Sequence, residues 1–319
     1  GSVALDGAGN VVFTPALNYH GPSSFSYVVT DNADGEDTAT VVVDILPVND
    51  APTAAPDTGA TSLDVPLVLR IADLMANDSD VDLQDYQYDL LNFVGVRSTS
   101  LGVASVYGGE FVVVEYDATF SGDVTLDYTI ADPEGVEDDG TVFATVSGVH
   151  ADVLSGSALR DLVIGSQTAE TIDGGAGDDD LFGRGGDDRI IGGDGGDAID
   201  GGAGFDIVDF AGSNIGVRAD LVTRLGQGGH AQGDLYTAIE AFAGTEFHDE
   251  LYGNGEANLL SGRGGGDLLD GRGGDDSLDG GAGDDILIGG TGADLLDGGE
   301  GSDTADYSAS YAAVDVSLL

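Results

Sequence analysis

Gly280-Gly281-Ala282-Gly283-Asp284-Asp285-Ile286-Leu287-Ile288 runs directly into Gly289-Gly290-Thr291-Gly292-Ala293-Asp294-Leu295-Leu296-Asp297. Both nonapeptides open on two glycines, place an acid sixth and an aliphatic residue eighth. Outward from this pair the register holds in two blocks. The sixth position carries Asp161, Glu170, Asp179, Asp188, Asp197 and Asp206, then Asp249, Asn258, Asp267, Asp276, Asp285, Asp294 and Asp303. The eighth carries Val163, Ile172, Leu181, Ile190, Ile199 and Val208, then Leu251, Leu260, Leu269, Leu278, Leu287, Leu296 and Ala305. A fixed period of this kind marks a solenoid, in which one unit cannot bury its apolar side alone and stacks on its neighbours. Six residues make a turn and three a short strand, so two nonapeptides form one coil. Asp267 then faces Asp285 and Asp303 along one edge, and Asp276 faces Asp294 along the other. In the first block the columns are Asp161, Asp179, Asp197 and Glu170, Asp188, Asp206.

Such a coil needs help to fold. Nine backbones are ordered for one buried aliphatic side chain, and glycine is the costliest residue to order. The carboxylates stacked along each edge also repel. The whole chain of 319 residues has a formal charge of −50, with 59 acidic and 9 basic residues, all nine of them arginine. That charge opposes compaction unless cations are taken up. Calcium suits the pattern, because it takes 6–8 hard oxygens and tolerates irregular geometry, whereas Mg²⁺ demands a small octahedron and keeps its water. Each ion takes one carboxylate from each of two stacked turns. The other oxygens are backbone carbonyls, bared where glycine adopts a left-handed turn: Gly193 and Gly195, Gly281 and Gly283, Gly290 and Gly292. The ligand set read here is therefore Asp161, Asp179, Asp188, Asp197, Asp206, Asp249, Asn258, Asp267, Asp276, Asp285, Asp294 and Asp303 with those glycines. Asp285→Ala should weaken two neighbouring sites, and Asp284→Ala should do little, since position five is not the repeat's acid.

Over roughly 156–306 the units resemble the G-G-x-G-x-D-x-U-x repeat of RTX (repeats-in-toxin) proteins. The resemblance implies a right-handed parallel β-roll holding several Ca²⁺ ions, type I secretion, and an extracellular or bacterial cell-surface location. Glu170 and Asn258 depart from the acid position, and the units starting at Gly156, Gly165 and Gly244 are poor in glycine. Between the blocks, Val217, Ala219 and Leu221 alternate with Arg218 and Asp220 as a strand. Leu235 to Ala243 reads as a second apolar segment, and Glu240 as a lone solvent-facing acid. Asp306-Tyr307-Ser308 and Val314-Asp315-Val316-Ser317-Leu318 echo Asp209-Phe210-Ala211 and Val217-Arg218-Ala219-Asp220-Leu221, so a further unit begins at the chain end.

The N-terminal half has its own repeat. Asn18-Tyr19-His20-Gly21 before Phe25-Ser26-Tyr27-Val28-Val29-Thr30-Asp31 matches Thr119-Phe120-Ser121-Gly122 before Leu126-Asp127-Tyr128-Thr129-Ile130-Ala131-Asp132, 101 residues later. Alternating strands at this spacing indicate β-sandwiches of about 100 residues. Pro47-Val48-Asn49-Asp50-Ala51-Pro52 and Leu74-Met75-Ala76-Asn77-Asp78-Ser79-Asp80-Val81-Asp82 resemble bacterial cadherin-like or Ig-like repeats. Asp78, Asp80 and Asp82 make a D-x-D-x-D run suited to wrapping a further Ca²⁺, and Asp31 and Asp132 read as one shared structural turn. The fold class is thus all-β: Ig-like/cadherin-like sandwiches, then a parallel β-roll. The divisions are 1–48, the end of one sandwich; 49–149, a complete one; 150–210, roll block one; 211–243, a β insert; 244–306, roll block two; and 307–319, the start of a truncated unit.

Composition excludes several partners. Phosphate binding needs clustered Lys and Arg, so nucleic acid is excluded. No apolar run has the length of a transmembrane span, and without cysteine no disulfide braces the thin core. The four histidines, His20, His150, His230 and His248, stand outside any H-E-x-x-H motif, and the sequence holds no G-x-S-x-G elbow or P-loop. The expectation is a protein that is not an enzyme: a calcium-binding structural or adhesive segment of a large secreted protein. The alternatives are the non-catalytic folding module of an exported enzyme or toxin, and a surface-layer or filament subunit. Partners beyond calcium, whether a cell surface, a glycan or another copy, stay open.

Overall fold

The computed structural model describes residues 1–31, 33–82 and 90–308. They fall into two compact units, one of 1–57, 71–98 and 126–142, the other of 58–70, 99–125 and 143 onward. This grouping cuts through the 49–149 span read from sequence as one sandwich. The echo at 314–318 lies outside the described residues.

In the first unit, strands Ser2–Leu5 and Val11–Thr14 pair as an antiparallel hairpin, and Gly21–Thr30 pairs with Glu36–Ile45 along ten residues each. The long hairpin has a counterpart 101 residues on, Gly122–Ala131 and Glu137–Val146, as the repeat requires. Both hairpins close on an aspartate at the equivalent position. Asp31 Oδ1 accepts the Gly35 N–H and Asp132 Oδ1 the Val136 N–H, each at 2.8 Å. Val124, Leu126, Tyr128 and Ile130 alternate inward along their strand and are at most 1% exposed.

In the second unit, Leu67–Arg70, Phe111–Glu115 and Val103–Tyr107 form a three-stranded antiparallel sheet. Its Phe111 and Val113 pack with Leu162, Ile164 and Phe182 of the first solenoid coils. The solenoid itself has two sheets. The first runs from Val153–Ser155 through Thr171–Ala176, Arg189–Asp194 and Ile207–Asp209 to Ala241–Ala243, Leu259–Ser261, Ser277–Asp279 and Leu295–Asp297. Successive strands are parallel and one coil apart: Ile172 pairs with Ile190, and Leu278 with Leu296. The eighth-position residues from Ile172 to Val208 and from Leu251 to Leu287 are at most 2% exposed and form one core between the sheets.

The solenoid does not stop at the insert. Ile207–Asp209 pairs directly with Ala241–Ala243, which pairs with Leu259–Ser261. In the second sheet Ala198–Asp200 pairs in parallel with Leu235–Thr237. An antiparallel hairpin, Arg218–Asp220 with Leu225–Gln227, fills the remaining gap, and Arg218–Asp220 continues in parallel into Glu250–Tyr252. The two blocks of the sequence are therefore one solenoid. Aromatic rings occupy its interior at the insert: Phe210, Tyr236 and Phe242 lie with centroids 5.0–6.4 Å apart. Gly226 yields the space for Tyr236, whose hydroxyl stands 2.3 Å from where a β-carbon would project.

Candidate metal centre

Each turn ends on the acid that precedes a strand, so the rise of the solenoid stacks the acids in columns. The stacking is held by a repeated hydrogen bond: the N–H of one acid donates to Oδ1 of the acid one coil later. It runs from Asp179 to Asp197, Asp188 to Asp206, Asp249 to Asp267 and Asp267 to Asp285 at 2.8–2.9 Å. Asp276 to Asp294 and Asp285 to Asp303 follow at 3.1 Å. This uses one oxygen of each carboxylate. The other, Oδ2, is buried without a hydrogen-bond partner in Asp179, Asp188, Asp197, Asp206, Asp267, Asp276 and Asp285. Buried polar atoms are normally satisfied, and a buried ionised oxygen left alone is costly.

The second residue of the turn decides whether Oδ2 is free. In the turns that open with Ser157, Ser166, Thr245 or Asn254 at this place, the N–H points back at the acid. Ser157 N–H reaches Asp161 Oδ2 at 2.6 Å, Thr245 N–H reaches Asp249 Oδ2 at 2.6 Å, and Asn254 N–H reaches Asn258 Oδ1 at 2.8 Å. Ser166 bonds Glu170 in the same way through its N–H and hydroxyl. Asp161 is further tied by Arg70 at 2.8 Å. These four turns close on themselves. Asp161, Asp249 and Asn258, grouped with the other acid-position residues by spacing, thus differ from them in that a turn N–H bonds the oxygen left free elsewhere, as in the Glu170 turn.

Where the second residue is left-handed, Oδ2 of the buried acids is left free. Gly193, Gly281 and Gly290 have φ of +100°, +95° and +96°. Arg184, Arg263 and Arg272 hold the same place at +72°, +68° and +67° despite their side chains. At position four, Gly195, Gly283 and Gly292 adopt +140°, +138° and +144° and bring successive turns into backbone contact. Asp294 and Asp303 lie in turns of this second kind, opened by Gly290 and Gly299, but are more exposed.

Burial is the main force raising these carboxyls, opposed by the cross-coil N–H and reinforced by facing acids. Asp179, Asp188, Asp197 and Asp276 are pushed up to about 6 and Asp267 to about 7. Folding without metal then binds protons, so the calcium-free solenoid loses stability as pH rises from about 4 through 7. The expected result is more β-signal in chelator at pH 5 than at pH 7.5, and a calcium midpoint that moves to higher concentration on acidification, both read by circular dichroism.

Position five is not the repeat's acid, but it does bond across coils. Asp284 Oδ1 accepts the Ser302 N–H of the next coil at 2.9 Å, and Asp178, Asp187 and Asp275 make the equivalent bond. Asp284→Ala should therefore cost about 1 kcal/mol in thermal unfolding while leaving the number of bound ions unchanged.

Sequence reading missed two acids of the columns. Asp234, fully buried, accepts the Asp197 N–H at 3.0 Å. Glu240 is half-buried rather than solvent-facing, and its Oε2 accepts the Asp206 N–H at 2.9 Å. The trace in the sequence is an acid two places before a large apolar residue, Asp234 before Tyr236 and Glu240 before Phe242. Two other buried acids of the solenoid have guanidinium partners: Asp209 pairs with Arg189 and Arg263, and Asp220 with Arg272.

The D-x-D-x-D run does not converge. Asp78 Oδ1 accepts the Ala55 N–H, Asp80 Oδ1 the Asp82 N–H, and Asp82 Oδ2 the Asp50 N–H. Each carboxylate is turned toward a different backbone segment, although Asp80 Oδ2 is buried and unpartnered. Among the described residues no three His, Asp or Glu side chains meet at metal-binding distance. An ion in the solenoid would then complete its oxygens from backbone carbonyls and water beside carboxylates from the columns. This all-oxygen set, with free buried Oδ2 atoms, fits calcium.

Comparison with known families agrees. Residues 147–181, 173–208, 243–278 and 270–305 match the RTX calcium-binding nonapeptide repeat. Residues 48–147 match a cadherin-like domain and residues 1–44 a bacterial Ig domain. No curated protein matches the chain. Two solved structures, the endo-fucoidan hydrolase MfFcnA4 from glycoside hydrolase family 107 and a point variant of it, are 12% identical over 50% of this chain. The match spans about a quarter of those chains, 25% and 26%, with TM-scores of 0.21 and 0.20, too low to carry an argument. The modules matched are calcium-binding and structural ones, and the nonapeptide array binds several Ca²⁺ ions.

Proposed function

We propose that this chain, in which RTX calcium-binding repeats follow cadherin-like and bacterial Ig modules, is an extracellular structural and adhesive segment of a large secreted protein, and that its solenoid folds on meeting calcium outside the cell. The observation that carries the reading is the set of seven solenoid carboxylate oxygens that are buried without partners among the described residues. A fold that leaves them bare is penalised, and a ligand bound only by the folded state stabilises it as RT ln(1 + [L]/Kd). Binding energy becomes folding energy. The ligands are Asp179, Asp188, Asp197, Asp206, Asp267, Asp276, Asp285, Asp294 and Asp303, with carbonyls of the left-handed turns that open on Gly193, Gly281 and Gly290.

Extracellular calcium modules work at roughly 10⁻⁴–10⁻³ M. A chain tuned to that range stays unfolded in the cytosol, passes an export channel, and folds on release. The tandem sandwich modules ahead of the solenoid favour a stalk-like adhesive role over the folding tail of an enzyme. Two measurements test this. A calcium titration should place the folding midpoint in the extracellular range, and a submicromolar midpoint would remove the argument for export. Labelled chain should attach to bacterial or host cell surfaces in millimolar calcium and release in chelator; equal attachment in both would leave no calcium-dependent adhesion.

A further inference from the structure

The insert contains a turn built like a repeat unit, though it lies outside the matched repeats, which end at 208 and resume at 243. Gly229-His230-Ala231-Gln232-Gly233 leads to Asp234, and strand Leu235–Thr237 follows with Tyr236 pointing inward, 1% exposed. This is the repeat's order: a six-residue turn ending in an acid, then a strand with a large central residue. The strand pairs in parallel with Ala198–Asp200, Ile199 opposite Tyr236, so Asp234 takes the place above Asp197 in the column. The cross-coil bond is kept, Asp197 N–H to Asp234 Oδ1 at 3.0 Å.

The charges there are uncompensated. Asp197 is 1% exposed and Asp234 0%. Asp197 Oδ2 has no partner, and Asp234 Oδ2 has the Tyr236 hydroxyl at 3.2 Å. Among the described residues neither carboxylate forms an ion pair, although arginines serve Asp209 just before the insert and Asp220 within it. Two dry, adjacent carboxylates without a guanidinium require a cation or a proton.

We propose that Asp197 and Asp234 hold a calcium ion between them, at a site that the insert creates by standing in for a missing repeat. The proposal rests on the reading that the aspartate columns bind calcium. It extends that column by one ion beyond the recognised motif, and it explains why an insert of different sequence leaves the stacking unbroken. The chemistry required is a hard, oxygen-seeking divalent cation.

The test uses the full chain, with calcium counted at saturation by equilibrium dialysis and terbium as a luminescent probe. Asp234→Asn should bind one ion fewer than the parent. Tyr236, hydrogen-bonded to Asp234, is the natural antenna for a lanthanide there, so Tyr236→Phe should keep the full calcium count while losing part of the tyrosine-sensitised terbium emission. Asp285→Asn serves as the reference for an ordinary repeat site. If Asp285→Asn loses ions and Asp234→Asn loses none, the pair shares a proton, and the proposal fails while the repeat reading stands. If neither variant loses an ion, the underlying reading fails as well. Should Asp234→Asn not fold, unchanged sensitised emission in Tyr236→Phe overturns the proposal by itself.

Discussion

In a Gly283→Ala variant, the C-terminal coils are expected to remain unfolded at calcium concentrations that fold the parent. Gly283 sits at φ +138°, and a β-carbon there would lie 1.3 Å from the carbonyl oxygen of Gly265 in the preceding coil. The obstacle is backbone, which cannot swing aside. The next coil rests on the same place, since a β-carbon on Gly301 would come within 1.7 Å of the Gly283 carbonyl oxygen. The penalty combines a left-handed backbone with a steric overlap and should reach roughly 3 kcal/mol or more. Gly255 offers the control: nothing lies within 4 Å of its β-position, and its φ is not left-handed. Gly255→Ala should stay within about 0.5 kcal/mol of the parent. Thermal unfolding in saturating calcium, followed in the far ultraviolet, distinguishes the two.

Asp285→Ala is expected to have the next largest effect and to act through calcium rather than packing. Asp285 links three coils: its Oδ1 accepts the Asp267 N–H, its own N–H donates to Asp303, and its Oδ2 is free and buried. Removing the carboxylate strips a ligand from the gap on either side. The ion count should fall by two and the calcium midpoint should rise about tenfold, which corresponds to about 1.4 kcal/mol. Asp284→Ala, one residue away, should leave the count intact. Equal ion loss in the two variants would show that the sixth position has no special role.

Much of this architecture is legible in the sequence, because a nine-residue period fixes both the buried column and the acid column. Leu269, Leu278 and Leu287 are inside, and Asp267 is stacked with Asp285 and Asp276 with Asp294, as the spacing requires. Two features escape a reading by period. One is the continuity through the insert. There the hairpin Arg218–Asp220 with Leu225–Gln227 interrupts the count. The following unit is also shortened: a β-carbon on Gly201 would meet the Ala238 carbonyl oxygen, the place that glycine fills in other turns, yet Glu240 comes only two residues later. Asp234 and Glu240 are displaced from the register and so pass as ordinary acids. The other feature is backbone conformation at the second position. A glycine pattern finds Gly193 and Gly281 but not Arg184, Arg263 and Arg272, which are left-handed despite their side chains. The reverse case is Thr245, whose N–H and hydroxyl bond Asp249, an acid the spacing alone groups with the others.

The same physics accounts for the D-x-D-x-D run. Three alternate acids look like a cradle in one dimension, but Asp78, Asp80 and Asp82 each satisfy a separate backbone N–H. In the solenoid the coil geometry aligns the acids; at 78–82 no repeated element does so.

Far-UV circular dichroism of the full chain, recorded in chelator at pH 7.5 and again through a calcium titration, tests most directly whether calcium is a structural part of the solenoid core. The account predicts a coil-rich spectrum for the solenoid portion in chelator, a cooperative gain of β-signal as calcium is added, and full reversal when chelator is restored. A solenoid that shows its complete β-signal in chelator, unchanged by millimolar calcium, would contradict it.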